Sequence, residues 1–274
     1  MEIAIGQLRV DADPDRNLEQ IADLARRSEE QSARLLLLPE GLVCRDPRDP
    51  NASADHPQAL DGPFMSALAG LSARHRLAIV GSIHVPTGGP KVTNTGFILD
   101  HGELLAAYRK IHLYDAFSAR ESVRVEPGRE EPPVVGIDGL AVGLMICYDL
   151  RFPEVARSLA VRGAQLIVVP SAWASGPLKE MHWRLLASAR ALENTVYLAA
   201  CSETSAVDIG TSLLVDPLGV SVAAAGHSPE LLLAEVSPDR IAAARRALPV
   251  LSNRGYRDPE LRRPGEFGIR TPSG

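Results

Sequence analysis

The sequence predicts an α/β sandwich: mixed sheets stacked together, with helices covering their outer faces. Three observations carry this. Short apolar runs alternate with amphipathic segments of helical length from the N-terminus to about Leu248, the pattern of a layered α/β domain. Hairpin-like pairs interrupt the alternation, so each sheet mixes parallel and antiparallel neighbours. No Ser- or Gly-rich linker, charge block or repeat divides the 274 residues. The reading is one domain over 1–256, with 257–274 as a tail lying on the surface or on another subunit.

Met1–Leu8 is short, apolar and β-branched at Ile3 and Ile5, and predicts a strand. Pro14–Ser32 places Leu18, Ile21, Ala22, Leu24 and Ala25 near helical spacing and fills the other face with acids and arginines. Leu35–Leu38 is a continuous apolar run ended by Pro39, as expected of a strand buried on both faces. A polar loop, 44–58, precedes a helix over Pro63–His75 that Gly62 and Pro63 start. Leu77–Val85, Val92–Asp100 and Leu104–Lys110 predict three strands, and 111–132 an irregular segment. Pro133–Ile137 and Leu140–Ile146 flank Asp138-Gly139, a strong hairpin dipeptide. A helix over Pro153–Val161 follows, with proline at its first position. Then come a strand (Gln165–Val169), a helix (Leu178–Glu193) and a strand (Val196–Cys201). Gly210–Val215, Gly219–Ala225 and Leu231–Val236 read as a meander, after which Ser237 caps a last helix.

Composition narrows the function. Apolar residues make up 45 % and charged residues 23 %, with a net charge of −5, so there is no basic footprint for nucleic acid. No run approaches the ~18 apolar residues of a membrane span, and the N-terminus has neither the charged region nor the long apolar region of a signal peptide. Cys44, Cys147 and Cys201 are odd in number and far apart, which predicts a reducing, cytoplasmic setting rather than a disulfide framework. Of 29 basic side chains only Lys91, Lys110 and Lys179 are lysines, so each is worth inspecting.

Three apolar strands end in a chemically useful residue: Leu35–Leu38 in Pro39-Glu40-Gly41, Leu104–Arg109 in Lys110, and Val142–Ile146 in Cys147-Tyr148-Asp149. Strand ends are where α/β proteins build sites. A carboxylate can act as base to a thiol, an ammonium can hold both and stabilise an oxyanion, and a thiolate attacks a carbonyl carbon. Each residue also has a plain reading: a buried small hydrophobe for Cys147, a helix-entry residue for Glu40, a surface cation for Lys110.

The segments LLLPEG, YRKIHLYD and GLMICYDLRFPE resemble the three signature blocks of the nitrilase superfamily of carbon–nitrogen hydrolases, in its amidase branch near the omega-amidases and deaminated glutathione amidases. RESVRVEPG (120–128), GAQLIVVPSAW (163–173), HWRLLASARALENTVYLAAC (182–201), GTSLLVDPLG (210–219) and ALPVLSNRGY (247–256) extend the resemblance over nearly the whole chain. It implies a four-layer αββα sandwich with Glu40 as general base, Lys110 as charge stabiliser and Cys147 as nucleophile. Glu121 would orient Lys110 or assist in proton transfer, and the Tyr148 N–H would share the oxyanion with Lys110. It further implies hydrolysis of a small carboxamide to an acid and ammonia through a thioester, no cofactor, and a homodimer or larger oligomer. The sequence has no paired-Cys or His-x-x-x-His spacing for a metal. The alternatives are an N-carbamoyl amino acid hydrolase, a nitrilase, or, from a different class, a non-catalytic scaffold binding a metabolite or partner.

Other residues are weighed the same way. Trp173 at a strand end serves pocket or core equally well. His182 and Trp183 read as a packed aromatic pair, Asp149 and Arg151 as a structural pair, and Cys44 and Cys201 as unreactive.

Overall fold

The computed structural model describes residues 1–117 and 119–261; most of the predicted tail, 262–274, lies outside them. Its elements in chain order are β1 (Glu2–Gln7), α1 (Pro14–Glu30), β2 (Leu35–Leu37), α2 (Ala52–Asp55), α3 (Pro63–His75), β3 (Ala78–Pro86), β4 (Val92–Asp100) and β5 (Glu103–Arg109). There follow β6 (Val134–Ile137), β7 (Leu140–Leu144), α4 (Pro153–Val161), β8 (Leu166–Ser171), α5 (Lys179–Asn194), β9 (Tyr197–Ser202), β10 (Leu213–Val215), β11 (Ser221–Ala224), β12 (Glu230–Glu235) and α6 (Pro238–Ala247).

Two six-stranded mixed sheets result, ordered β12-β1-β2-β3-β4-β5 and β11-β10-β9-β8-β7-β6. The period of two along each strand decides the layers. In β1 and β2, Ile3, Ile5, Leu35 and Leu37 join the core shared with the second sheet, while Ala4, Leu36 and Leu38 join the core under α1 and α3. The second sheet is covered by α4 and α5, whose Val155, Leu159, Trp183 and Ala187 are buried. The predicted sandwich is therefore present as four layers, helix–sheet–sheet–helix. Parallel pairs, β1·β2, β2·β3, β7·β8 and β8·β9, run through the middle of both sheets. Their strand ends gather on one edge of the sandwich, where the Glu40 N–H reaches across to Ser171 O at 3.2 Å.

The predicted meander is wrong at its third strand. β10 and β11 pair as expected, but β12 leaves them and pairs antiparallel with β1 in the other sheet, Ile5 opposite Leu232. The buried side chain of Gln7 explains the crossing. Its amide nitrogen donates to Gly226 O and Ser228 O at 2.9 and 2.7 Å, and its oxygen accepts from the Ser212 N–H at 2.9 Å. The 226–228 segment is thereby fixed between the sheets, and residues 210–212, predicted as strand, are occupied with this contact instead. The 111–132 segment contains one 3-10 turn, Glu121–Val123, and the loop at 44–58 contains the short helix α2. β7 stops at Leu144, two residues before the predicted end, because the chain turns sharply at Cys147.

Gly128 shows how closely the loop after Glu121 is laid against the end of β5. Its N–H donates to Lys110 O at 2.8 Å, and a Cβ there would land inside the Arg109 carbonyl. We expect Gly128→Ala to cost about 2 kcal/mol, the usual scale of overpacking, because backbone rather than a flexible side chain must move. Denaturant unfolding checks this; an unchanged midpoint would contradict so tight a contact.

Candidate active site

Glu40, Lys110, Glu121 and Cys147 come from three elements and one loop, and the fold brings them together. Beyond β2 the chain stays in register for one residue, Leu38 N–H donating to Val80 O at 2.8 Å. Pro39 then ends the strand, and Gly41, at φ 75°, turns the chain away. Glu40 is left pointing between the sheets, 5 % exposed. Lys110 extends β5, its N–H donating to Asn94 O at 2.9 Å, and is 2 % exposed. The alternation of β5 sends Arg109 the other way, to an exposed pair with Glu130.

The Lys110 ammonium lies between two carboxylates. Its Nζ donates to Glu40 Oε1 at 3.0 Å and to Glu121 Oε1 and Oε2 at 3.2 and 3.0 Å. Glu40 Oε2 accepts from the Ala172 N–H at 2.9 Å, and Glu121 Oε2 from the Tyr114 N–H at 2.6 Å. Cys147 opens a 3-10 turn, Cys147–Arg151, in the left-handed region at φ 42°. A non-glycine residue there stores strain of order 1–3 kcal/mol, typical of functional positions. Asp149 holds the turn: it accepts from the Ile146 N–H at 3.0 Å and from Tyr108 Oη at 2.9 Å, and contacts His112 Nδ1 at 2.8 Å. The Tyr148 N–H belongs to the first turn of this short helix, where backbone donors lack intrahelical partners.

The charges are set by opposing effects. Burial alone pushes the Glu40 carboxyl up, but the Lys110 charge and hydrogen bond outweigh it and hold Glu40 at about 2. Burial works against the Lys110 charge, yet Glu121 and Glu40 raise it well above the ordinary lysine value. Burial, then the facing Glu40 carboxylate, push the Cys147 thiol well above its usual value. The resting site is thus carboxylate, ammonium and neutral thiol.

Trp173 serves both of the roles predicted for it. It packs on Trp183 with ring centroids 5.1 Å apart and also lines the pocket over Cys147, with Tyr114, Tyr148, Arg151, Ala172 and Lys179. Trp183 is wholly buried against it. The expected structural pair of Asp149 with Arg151 is not formed. Asp149 is spent on Tyr108, His112 and backbone, while the Arg151 guanidinium lies 4.7 Å over the Trp173 ring, in the pocket wall. Lys179 Nζ donates to Tyr114 Oη at 2.6 Å. Among the described residues neither cation has a carboxylate partner within 4.0 Å. Cys44 and Cys201 are buried, and burial raises both thiols.

Sequence reasoning missed Asn94. Its Nδ2 donates to Glu40 Oε1 at 2.7 Å and reaches Glu121 Oε1 at 3.3 Å, so it ties together the two carboxylates that Lys110 separates. The available signal was the polar run Thr93-Asn94-Thr95 inside an otherwise apolar strand that is buried almost throughout.

Comparison with known proteins places the chain in a family. The carbon–nitrogen hydrolase family model matches residues 2–246. A deaminated glutathione amidase of Escherichia coli O157:H7 is 43 % identical over 95 % of this chain and 100 % of its own length. An omega-amidase of Saccharomyces cerevisiae is 32 % identical over 93 % of this chain and 94 % of its own length. An amidase from Nesterenkonia sp. AN1, solved as a double mutant in complex with acrylamide, superimposes with a TM-score of 0.81 at 32 % identity, covering 93 % of this chain and 94 % of that one. Another structure of that amidase, at 34 % identity and a TM-score of 0.77, shows acrylamide added to its active-site cysteine and covers 90 % of this chain and 98 % of that one. The chain belongs to the carbon–nitrogen hydrolase family.

Asn94→Asp would set a third buried carboxylate beside Glu40 and Glu121, with Lys110 as the one ammonium in contact with them among the described residues. We expect it to destabilise the fold by about 2 kcal/mol or more, the scale of an unmatched buried polar group. The deficit should shrink as pH falls, because protonation removes the added charge. Denaturant midpoints at neutral and acidic pH test both statements; equal stability of variant and wild type at neutral pH would contradict them.

Proposed function

We propose that the protein is a cysteine-dependent amide hydrolase, and that its substrate is a small amide that also carries a carboxylate. The observation that carries the first part is the Cys147 thiol facing a carboxylate that is fixed by Lys110. Cys147 Sγ attacks the amide carbonyl while its proton passes to Glu40. The tetrahedral oxyanion is held by Lys110 Nζ and the Tyr148 N–H. Removing one such donor typically costs about 10²–10³ in turnover. Glu40 then hands its proton to the nitrogen, and ammonia leaves, or an amine where the nitrogen is substituted. Water, deprotonated by Glu40, attacks the thioester; the C–S bond breaks, the acid is released, and the proton on Glu40 returns to Cys147 Sγ. Glu121 acts through Lys110, keeping the ammonium in place as the Glu40 charge comes and goes.

The second part rests on Arg151 and Lys179. The acid–base group holds two carboxylates against one ammonium, whereas the pocket wall adds two cations with no carboxylate partner among the described residues. On a chain of net charge −5 this positive mouth favours an anionic substrate. Deaminated glutathione, named for the Escherichia coli relative, carries carboxylates and fits that description.

The three free cysteines suit a reducing cytoplasm. Leu178, Met181, Leu185 and Leu192 expose apolar surface along and just before α5, which supports a homodimer or larger assembly.

A panel of amides with and without a carboxylate, assayed for acid and amine release, tests this reading. Folded Cys147→Ala should release neither product. Arg151→Met should lower kcat/KM by about tenfold or more for carboxylate-bearing amides, the value of a charge-assisted hydrogen bond, and leave neutral amides nearly unchanged. Turnover by Cys147→Ala would overturn the nucleophile. Equal losses on both amide classes would overturn the anionic substrate.

A further inference from the structure

Next to Glu40 lies a second buried charge cluster for which the reaction gives no role. Glu203 follows β9 directly and is 1 % exposed. Its N–H donates to Ser171 O at 3.0 Å, the same carbonyl that accepts from the Glu40 N–H at 3.2 Å. The backbones of Glu40 and Glu203 therefore share one anchor at the join between the sheets. The Glu203 carboxyl and Asp208 face the same guanidinium of Arg45, and Glu203 Oε2 accepts from Ser205 Oγ at 3.2 Å. Arg45 is the one cation facing this carboxyl pair among the described residues. Its Nη2 pairs with Asp208 Oδ2 at 2.7 Å, while its Nε stays 3.8 Å from Glu203 Oε2. Beyond the guanidinium lie Glu40, whose charge Arg45 also stabilises, and then Lys110 and His84.

One guanidinium cannot balance two buried carboxylates and also support Glu40. Asp208 takes the short pairing, so the proton belongs on Glu203, which can donate it to Asp208. We propose that Glu203 is a positioning residue that works as a neutral carboxylic acid, bridging Asp208 and leaving the Arg45 charge to Asp208 and Glu40. Loss of its proton at alkaline pH then places a second negative charge on Arg45 and loosens the segment that carries both the Glu40 anchor and the pocket wall. The 203–209 loop is tied to that wall: the Ile209 N–H donates to Trp173 O at 3.0 Å and the Ser175 N–H to Val207 O at 2.7 Å.

Burial, then the contact with Asp208, supports this by pushing Glu203 up to about 9 from an ordinary 4.5. Between those two values the folded chain keeps a proton that the unfolded chain has lost. Burying Glu203 therefore costs stability that grows as pH rises through that window. Glutamine keeps the shape of the neutral acid, can donate to Asp208, and does not titrate.

The test uses Glu203→Ala and Glu203→Gln in the full chain. At neutral pH we expect the alanine variant to lose about tenfold in kcat/KM, the equivalent of one unsatisfied buried group, and the glutamine variant to restore most of it. The wild type should lose activity on the alkaline side with a midpoint near 9, and Glu203→Gln should lack that limb. Independently of activity, the thermal midpoint of Glu203→Gln should rise relative to wild type as pH increases from 5 to 9, the window set by the Glu203 shift. The inference rests on Glu40 as the base, and the thermal readout separates the two. A constant difference in midpoint across pH overturns the neutral Glu203, whatever the activities show. A pH-dependent midpoint with superimposed alkaline limbs overturns its positioning role alone.

Discussion

The site depends on one buried ammonium held between two carboxylates. Taking Lys110, Glu40 and Glu121 out of water is costly, and their mutual attraction repays it only with near-ideal geometry and further hydrogen bonds to the remaining lone pairs. The structure supplies these from four directions: Asn94, the Ala172 N–H, the Tyr114 N–H and the Lys110 ammonium itself. Glu40 belongs to the first sheet and Ala172 follows β8 of the second, so the same bonds that satisfy the charges also lock the two sheets at one separation. Gln7 makes a comparable tie between the sheets, bonding Ser212 and the 226–228 segment.

This arrangement makes the resting site inert as well as ordered. Glu40 is held near 2 while the thiol is pushed well above its ordinary value, so proton transfer from Cys147 to Glu40 is uphill without substrate. In the proposed cycle the transfer occurs together with attack. As negative charge develops on the carbonyl oxygen, the fixed Lys110 ammonium shares its charge with it, and Glu40 becomes a stronger base. Glu121 keeps the ammonium charged and in place throughout. A positioned acid–base group of this kind contributes typically 10²–10⁴-fold, and in the proposed cycle the left-handed turn at Cys147 presents the sulfur and the adjacent N–H together.

Much of this was legible in the sequence because the strands carry strong, short apolar patterns and the reactive residues sit where those patterns end. Glu40, Lys110, Cys147 and Glu121 are brought together as the motifs suggested. What was not legible depended on distant pairing. β12 follows β11 after a short turn-like segment and reads as its hairpin partner, but its ladder with β1 and the bonds that Gln7 makes to the 226–228 segment place it in the other sheet. Asn94 is an ordinary strand residue until β4 is placed beside β5. Arg151 and Lys179 are two cations among 29. Only the turn at Cys147 and the start of α5 show that they line one pocket, with no carboxylate partner among the described residues.

The central claim is that Lys110 acts as a compact ammonium at one fixed point, beyond supplying positive charge. Steady-state kinetics of Lys110→Arg, with Arg109→Lys as control and thermal unfolding to confirm folding, addresses it most directly. A guanidinium is longer, planar and forked, and cannot place a point charge between Glu40, Glu121 and the oxyanion. Arg109 points outward to Glu130. The account predicts that folded Lys110→Arg falls by about 10²-fold or more in kcat, the scale of one lost oxyanion donor, while Arg109→Lys stays near wild type. Comparable, near wild-type activity in both variants would contradict it.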